Sequence, residues 1–363
     1  MRDLFGRLGR QLLFSFDPET AHGLSIAALK SGVPFCATPP ADRRLAVSVA
    51  GIEFPNPLGI AAGYDKNAEV PDALLALGFG FAEIGTVTPL PQPGNPRPRI
   101  FRLAEDSAVI NRLGFNNQGH EAALKRLRRR TAGAGVVGVN IGANKDSADR
   151  VGDYVLGARR FAQVASYLTV NISSPNTPGL RNLQSRDALR ELLVRVRDAR
   201  DEAVSGSPKR TPIFLKIAPD LSEAELGEIA QEIKANQIEG VIVSNTTLAR
   251  AGLTSRSAGE AGGLSGAPLF SRSTVVLARM RLLLGQETAI IGVGGVDSTE
   301  TALEKIKAGA DLVQLYTGMI YAGPALPGQI VRGLSGFASR QGLKSIAELR
   351  DSALDEWAAR PIG

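Results

Sequence analysis

The chain has only one cysteine and two histidines among its 363 residues. The lone Cys36 excludes an intrachain disulfide framework and any metal site built from several cysteines. His22 and His120 do not form an HExxH pair, which argues against a histidine-rich zinc site. A Ser-His-Asp hydrolase is also disfavoured, because the segment GLSG at Gly263–Gly266 lacks the second spaced glycine of a nucleophile elbow.

Long apolar runs are absent as well. No stretch of eighteen apolar residues occurs, so a simple bilayer-spanning helix is not expected, and no signal-peptide pattern is present. The first residues instead predict an amphipathic helix, with apolar positions at Met1, Leu4, Phe5, Leu8 and Leu12. A turn at Asp17-Pro18 precedes a second predicted helix from Glu19 to Lys30. These two helices could pack on the main domain or lie in a membrane interface.

Neither positive nor negative charge is in strong excess. The net charge of +6 is modest for this length and does not by itself indicate a nucleic-acid partner. The densest basic run, at residues 125–130, is interpreted as a solvated helix face, with attraction to an anionic membrane surface as the alternative. No aromatic residues are interleaved in the manner of single-strand binders, so we expect no nucleic-acid binding.

From Val47 onward, short apolar runs alternate with helical patterns, and many runs end in polar residues or glycine. We predict eight strands, at Pro57–Ala62, Phe81–Ile84, Val136–Val139, Tyr167–Val170, Ile213–Leu215, Val241–Val243, Ala289–Ile291 and Leu312–Leu315. We predict helices among them at Leu189–Glu202, Ser222–Lys234 and Ser298–Ala308. Strands that alternate with helices indicate a parallel sheet, and eight such units indicate a (β/α)8 TIM barrel of the α/β class. In that fold the active site gathers at the carboxyl ends of the strands.

The main rival architecture is an open, doubly wound sheet. That fold usually has GxGxxG after its first strand, whereas the corresponding turn here is AAGYD at Ala61–Asp65. A nicotinamide cofactor on a dinucleotide-binding domain is therefore disfavoured. We divide the chain into a small N-terminal helical extension at residues 1–45 and a barrel domain at residues 46–363.

Two features at the strand ends predict an anionic ligand. Gly294-Gly295 and Thr317-Gly318 follow the last two strands, where backbone N–H groups of such barrels commonly hold a phosphate. Lys216 ends an otherwise apolar strand, and an unpaired buried amine is costly. It is interpreted as a fixed positive charge beside a ring or anion, unless it reaches the rim as a solvated lysine. Lys66 has the same two interpretations.

Four asparagines are expected at the same mouth of the barrel: Asn111, Asn171, Asn176 and Asn245. Any one of them alone is commonly a turn residue. Together their donors and acceptors suit a planar ring with alternating N–H and C=O groups. A pyrimidine-like ring with a carboxylate that meets a lysine would fit, although the residues do not choose among such rings.

Six long motifs occur in order along the chain: AAGYDK at 61–66, EIGTVTP at 83–89, NRLGFNN at 111–117, VNISSPNTPGLR at 170–181, GGLSG at 262–266 and IGVGG at 291–295. Together they resemble the motifs of the quinone-linked, membrane-associated dihydroorotate dehydrogenases. The resemblance extends from the N-terminal helices to about residue 335. One such motif would be weak, but six in the family's order are specific.

The resemblance implies an FMN-dependent enzyme that oxidises dihydroorotate to orotate in pyrimidine biosynthesis. One FMN per subunit would be held by Ala61, Ala62, Gly63, Tyr64, Asp65, Thr86, Asn140, Asn171, Lys216, Ser244, Gly266, Gly295, Tyr316 and Thr317. The substrate would be held by Lys66, Asn111, Arg112, Leu113, Gly114, Phe115, Asn171, Asn176, Asn245 and Thr246. Ser174 matches the position of the catalytic base.

Two features place the resemblance with the quinone class. The soluble class has cysteine at the position of Ser174 and lacks the N-terminal helices. His22, Arg102 and Tyr316 match residues that line the quinone tunnel, with ubiquinone or menaquinone as final acceptor. The resemblance further implies a peripheral membrane protein on the cytoplasmic face of the cell membrane, bound through its N-terminal helices, and we expect a monomer.

Two competing interpretations remain open from the sequence. The chain could be another flavin barrel that acts on a related ring with a soluble electron acceptor. It could also be a non-catalytic, phosphate-sensing barrel that docks to membranes through its basic face. The second interpretation leaves the combination of Ser174 and Lys216 without a purpose.

Overall fold

A computed structural model describes the chain in five ranges: residues 13–32, 36–131, 133–177, 179–208 and 210–362. The amphipathic helix predicted from Met1 to Leu12 lies outside these ranges. Within them, no helix has both the length and the apolar character needed to cross a bilayer.

The strands and helices alternate along most of the chain. The strands are β1 (Val47–Val49), β2 (Ile52–Phe54), β3 (Leu58–Ile60), β4 (Phe81–Val87), β5 (Ile100–Leu103), β6 (Ala108–Asn111), β7 (Val136–Ile141), β8 (Tyr167–Asn171), β9 (Ile213–Ile217), β10 (Gly240–Val243), β11 (Gly263–Gly266), β12 (Ala289–Val293) and β13 (Leu312–Leu315). The α-helices are α1 (Pro18–Lys30), α2 (Pro71–Ala76), α3 (Gly119–Leu127), α4 (Arg150–Phe161), α5 (Arg186–Ala203), α6 (Glu223–Ala235), α7 (Phe270–Leu284), α8 (Thr299–Lys307), α9 (Thr317–Ala322), α10 (Leu326–Arg340) and α11 (Leu354–Ala358).

Eight parallel strands form a closed barrel in the order β3, β4, β7, β8, β9, β10, β12 and β13, and β13 pairs back onto β3. The predicted (β/α)8 barrel is therefore confirmed, and each predicted strand is present with small changes at its ends. The predicted helix before the barrel is α1. Because all eight strands run the same way, their carboxyl ends and the polar residues that follow them meet at one mouth.

Some of the helices begin at a side chain that caps them. Ser222 accepts a hydrogen bond from the N–H of Glu225, and the Glu225 carboxylate accepts from the N–H of Ser222, which confirms the predicted capping box of α6. Asp17 caps α1 by accepting from the N–H groups of Glu19 and Thr20, each at 3.1 Å. These contacts satisfy amides that have no partner inside the first helical turn.

The interior of the barrel is filled by large rings that lie over glycines on neighbouring strands. The three rings belong to Phe81, Tyr167 and Phe214, and the glycines that they cover are Gly59, Gly138 and Gly240, respectively. The ring centroid of Tyr167 lies 5.2 Å from that of Phe214 and 6.3 Å from that of Phe81. A side chain at any of these glycines would occupy the space of a ring, so the glycines are required by packing.

The sequence did not predict a small antiparallel sheet that covers part of the barrel mouth. β6 pairs with both β5 and β11, and its own small core contains Leu103, Ala108, Ile110 and Leu264. This sheet carries Arg102 and Asn111 over the carboxyl ends of the barrel strands. It therefore forms a wall of the site described below.

The packing of Tyr167 on Gly138 can be tested by adding one methyl group. Gly138→Ala should lower the free energy of unfolding by about 1–3 kcal/mol, because the new Cβ overlaps the Tyr167 ring. Gly227→Ala is the matched control on helix α6, where a Cβ meets nothing within 4 Å, and it should raise stability by about 0.5–1 kcal/mol. Chemical denaturation of both variants measures the difference, and equal stabilities would contradict the packing.

Candidate active site

One cavity of about 1170 Å³ extends from the mouth of the barrel to the inner face of α1. Its walls come from the carboxyl ends of the barrel strands, the β5–β6–β11 sheet and α1. Polar residues lie at the barrel end, whereas the end beneath α1 is largely apolar. The cavity is large enough for more than one ligand of moderate size.

Most residues predicted for a site line this one cavity. They are His22, Ala61, Ala62, Gly63, Tyr64, Lys66, Thr86, Arg102, Asn111, Leu113, Gly114, Phe115, Asn171, Ser174, Asn176, Lys216, Ser244, Asn245, Thr246, Gly266, Gly295, Tyr316 and Thr317. They come from loops far apart in the sequence, and the parallel barrel brings them together. Three of the predicted residues do not line it: Asp65, Arg112 and Asn140.

Those three residues support the walls instead. The buried Asp65 carboxylate accepts hydrogen bonds from the N–H groups of Glu69 and Val70, both at 2.8 Å, and so shapes the loop that presents Lys66. Arg112 forms an ion pair with Glu260 at 2.8 Å. Asn140 lies behind the wall, where its amide contacts two residues that do reach the cavity.

The amides at the barrel mouth are held in place by their own hydrogen bonds. Asn171 donates from Nδ2 to the hydroxyl of Thr86 at 3.0 Å and to Oδ1 of Asn140 at 3.1 Å. Its Oδ1 accepts from the hydroxyl of Ser173 at 2.9 Å. Asn245 donates to that same hydroxyl at 2.9 Å. The amides are therefore ordered before any ligand arrives, which reduces the entropy that binding would cost.

Lys216 is a buried positive charge that faces the cavity. Its side chain is 5% exposed, and the part of the chain that the structure describes gives its amino group no hydrogen-bond acceptor. Burial lowers the pKa of Lys216, and the negative charge of Glu83 opposes that shift. The alternative of a lysine that reaches solvent at the rim is wrong, and the geometry favours a ligand with negative or electron-rich atoms.

Lys66 is a second lysine in the cavity, and its neighbour is a histidine. Its amino group lies 3.4 Å from Nε2 of His22. Burial lowers the pKa of Lys66 to about 8, against a smaller opposing effect of Glu19. Burial, together with the charge of Lys66, lowers the pKa of His22 to about 3. At neutral pH, His22 is thus uncharged, while Lys66 is mostly protonated.

Ser174 lies in the loop after β8 and also faces the cavity. Its hydroxyl oxygen accepts a hydrogen bond from the N–H of Asn176 at 3.2 Å. The Asn176 amide reaches Oδ1 of Asn111 at 3.4 Å, which links this loop to the sheet over the mouth. Among the described residues, no side-chain base accepts the hydroxyl proton of Ser174.

A glycine-rich rim forms the side of the cavity at β11, β12 and β13. Gly266, Gly294 and Gly295 all have positive φ angles, of +102°, +111° and +73°, which favour glycine. A Cβ at Gly266 would strike the backbone at Ser107. Bare backbone at these positions leaves room for a ligand to approach closely, as a phosphate requires.

Three aromatic rings form the passage between the polar and apolar ends. The rings of His22 and Tyr64 meet edge to face at 5.2 Å, and those of Tyr64 and Tyr316 at 5.5 Å. The hydroxyl of Tyr64 donates to Ser25 of α1 at 3.0 Å. Burial raises the pKa of both tyrosines, so both hydroxyls stay neutral.

Arg102 marks the outer, apolar end of the cavity. Its guanidinium donates to the carbonyls of Leu13, Phe14 and Phe16 at 3.1–3.2 Å and lies 4.7 Å from the ring centroid of Phe14. Burial lowers the pKa of Arg102. Sequence reasoning missed the apolar residues around it, such as Leu24 and Tyr321, because apolar residues of a tunnel resemble those of any packed helix.

An ion pair attaches α1 to the barrel. Glu19 accepts from the buried Arg99 at 2.6 and 3.0 Å and from Arg97 at 3.0 Å. The hydrogen bonds from Arg99 hold the pKa of Glu19 below its usual range. Lys30 pairs with Glu69 near the other end of the helix. Both ends of α1 are therefore tied to the loops around the mouth.

The fold and site define a class: a (β/α)8 barrel whose mouth suits a phosphate-bearing cofactor and a planar anion, with an apolar passage beside them. In the described residues, no group of three or more histidine, cysteine or acidic side chains could hold a metal ion.

Comparison with known proteins identifies the family. The sequence pattern of the dihydroorotate dehydrogenase family matches residues 44–337. The chain is 67% identical to the dihydroorotate dehydrogenase (quinone) of Brucella ovis over 363 residues, with all of both chains covered. It is 69% identical to that of Mesorhizobium japonicum over 357 residues, with 98% of each covered. The chain belongs to the dihydroorotate dehydrogenase family.

A solved structure shares the architecture. The crystal structure of the enzyme from Eimeria tenella in complex with ferulenol superimposes with a TM-score of 0.88. The two chains are 39% identical, and the alignment covers 95% of this chain and 96% of that one. The ligand-free structure from the same organism gives a TM-score of 0.87.

Proposed function

We propose that the chain oxidises dihydroorotate to orotate in pyrimidine biosynthesis, with FMN as hydride acceptor and a membrane quinone as final electron acceptor. The observation that carries this proposal is the continuity of the cavity. A polar site with two lysines and several ordered amides opens directly into an apolar passage beneath α1. Such a cavity suits a polar electron donor at one end and an apolar electron acceptor at the other.

The residues present fit FMN. The glycines with positive φ at 266, 294 and 295, with Thr317, offer backbone N–H groups and a hydroxyl to a phosphate. Ala61 and Ala62 offer a flat apolar wall to a ring, and Lys216 offers a positive charge to its polar edge. FMN, when bound there, supplies the hydride acceptor. Lys216 stabilises negative charge that develops near it.

The other polar groups fit the substrate. Lys66 pairs with the carboxylate of dihydroorotate, because a protonated amine in a sheltered cavity binds an anion more strongly than in bulk water. Asn111, Asn171, Asn176 and Asn245 match the N–H and C=O groups of the ring. Together these contacts hold the reacting carbons in one orientation.

Ser174 is the proposed base, which takes the proton from C5 of the substrate. An isolated hydroxyl is a weak base, so the proton must move onward through water or neighbouring hydroxyls. The same cavity that shelters Ser174 also excludes bulk solvent from the reacting carbons. Loss of the C5 proton and of the C6 hydride leaves the double bond of orotate.

The quinone, either ubiquinone or menaquinone, enters at the apolar end beside His22, Arg102 and Tyr316. The neutral His22 and the arginine offer hydrogen-bonding groups to quinone carbonyls. We place the N-terminal extension, residues 1–45, at the membrane surface on the cytoplasmic face of the cell membrane, and the barrel domain of residues 46–363 in the cytoplasm. The protein acts as a monomer without nucleic acid.

Ser174→Ala tests the base. The variant should still hold FMN and bind orotate, but its flavin should be reduced by dihydroorotate about 100-fold or more slowly, since general-base removal typically costs that much. Ser174→Cys is the matched variant, because a thiol ionises near pH 8.5 whereas a hydroxyl does not. Stopped-flow absorbance in the absence of oxygen measures both rates. Near-normal reduction in the alanine variant at neutral pH would remove Ser174 from this role.

The proposed function as a whole is tested by the colour of the purified chain and by the electron acceptor that it uses. The purified chain should be yellow, and dihydroorotate should bleach it when oxygen is absent. A ubiquinone analogue should then restore the colour, whereas fumarate and NAD should not. Restoration by fumarate or NAD would favour a flavin barrel with a soluble acceptor, and a colourless protein that binds no flavin would favour the phosphate-sensing alternative.

The protonation of Lys66 predicts how orotate binding depends on pH. The lysine loses its charge as the pH rises through about 8, so affinity should be constant below that value and should fall above it. The bound anion raises the pKa of Lys66, so the affinity should stop falling once the pH exceeds this higher pKa of the complex. Lys66→Met should bind weakly at every pH, and Lys125→Met on α3 is the control. An unchanged pH dependence in Lys66→Met would contradict the assignment.

A further inference from the structure

One buried carboxylate lies behind the cavity wall without reaching the cavity. Glu83 lies on β4 inside the barrel, has no exposed surface and does not line the cavity. Three donors converge on it: Nδ2 of Asn140 at 2.7 Å, the hydroxyl of Tyr167 at 3.0 Å and Nε2 of Gln314 at 2.8 Å. An ionised carboxylate only accepts hydrogen bonds, and three donors match that requirement.

This contact fixes the orientation of the Asn140 amide. Its NH₂ group must face Glu83, because an amide oxygen placed against a carboxylate would be repelled. The oxygen of Asn140 therefore points toward the cavity wall, where it accepts from the hydroxyl of Thr86 at 2.6 Å and from Nδ2 of Asn171 at 3.1 Å.

The hydrogen bonds continue from Asn140 to residues that line the cavity. Since the Thr86 hydroxyl donates to Asn140, its lone pairs are available to accept from Asn171 at 3.0 Å. The Asn171 oxygen then faces Ser173 and Asn245, and accepts from the latter at 3.4 Å. Thr86, Asn171 and Asn245 all line the cavity. A carboxylate inside the barrel thus determines which of their atoms act as donors and which as acceptors.

Glu83 also affects the buried positive charge of Lys216. It is the charged group whose field acts on the buried Lys216, and it raises the pKa of that lysine against the effect of burial. Opposite charges on Glu83 and Lys216 would lower the cost of burying either group.

We propose that Glu83 is a positioning residue that sets the donor and acceptor directions of Thr86 and Asn171 at the cavity wall. It does so through the Asn140 amide, which contacts both Glu83 and the wall residues. This inference rests on the proposed function only for the identity of the ligands that the wall receives. The hydrogen bonds from Glu83 to the wall are made between protein groups and do not depend on the identity of a ligand.

Glu83→Gln removes the charge with little change of volume. The new amide brings two N–H donors into a space where three donors already converge, so the chain of bonds is disturbed. Orotate should bind about tenfold more weakly to the flavin-loaded variant, as expected for the loss of one charge-assisted hydrogen bond. As the pH is raised, the rate of flavin reduction should begin to fall at a lower pH in the variant than in the parent chain, because Lys216 loses a negative charge that favours its protonated form.

A second exchange should rescue the first. In Glu83→Gln/Gln314→Glu, the oxygen at position 83 can still accept from Asn140, and its NH₂ can donate to the new carboxylate at position 314. The Tyr167 hydroxyl lies 3.5 Å from the present Gln314 nitrogen, so it can donate to that carboxylate as well. The double variant should bind orotate within about threefold of the parent chain. If Glu83→Gln alone does not fold, this double variant still tests the proposal.

Glu232→Gln is the matched control. Glu232 is also buried, with ion pairs to Arg186 and Arg190, but it lies on α6 outside the barrel. It should lose stability without a change in orotate affinity or in the alkaline pH limit. Absorbance titration of the bound flavin measures affinity, and stopped-flow absorbance measures the pH limit.

Two results would overturn the inference: a Glu83→Gln variant that matches the parent chain in both measurements, or a double variant that folds but binds orotate tenfold more weakly. A parent chain without flavin, or without dihydroorotate oxidation, would instead refute the proposed function before any variant is made.

Discussion

The Glu19 carboxylate binds the buried guanidinium of Arg99, and this ion pair holds α1 against the mouth of the barrel. Breaking such a pair leaves an unpaired charge in a sheltered place and costs about 3–5 kcal/mol. Without α1, His22 and Ser25 would leave the wall, and Tyr64 would lose its partner. The barrel mouth would then open to water, and its apolar passage would cease to exist.

Enclosure gives the charges of the site their effect. Lys66 and Lys216 both have lowered pKa values because the cavity shields them from water. The same shielding strengthens their attraction to a bound anion. The polar end of the cavity thus suits a charged donor, while the rings of His22, Tyr64 and Tyr316 separate it from a space with few polar groups. A hydride donor and an apolar acceptor can each find a matching environment.

The sequence was sufficient to predict the barrel, because polar residues that end apolar runs lie together at the carboxyl edge of a parallel sheet. Asn171, Lys216 and Asn245 were recognised for that reason. Glu83 was not, since it lies within an apolar run and its partners Tyr167 and Gln314 are distant in the chain. For the same reason, the sequence could not show that Asn140 supports the wall rather than lines it.

The central claim is that a polar ring site and a quinone passage are two ends of one cavity. A crystal structure of the flavin-loaded chain with orotate and a ubiquinone analogue bound together tests it most directly. We expect the orotate carboxylate at the amino group of Lys66 and the quinone head beside His22 and Arg102, within the single cavity beneath α1. Ligands in separate cavities, or a quinone analogue bound on the outer face of α1, would contradict it.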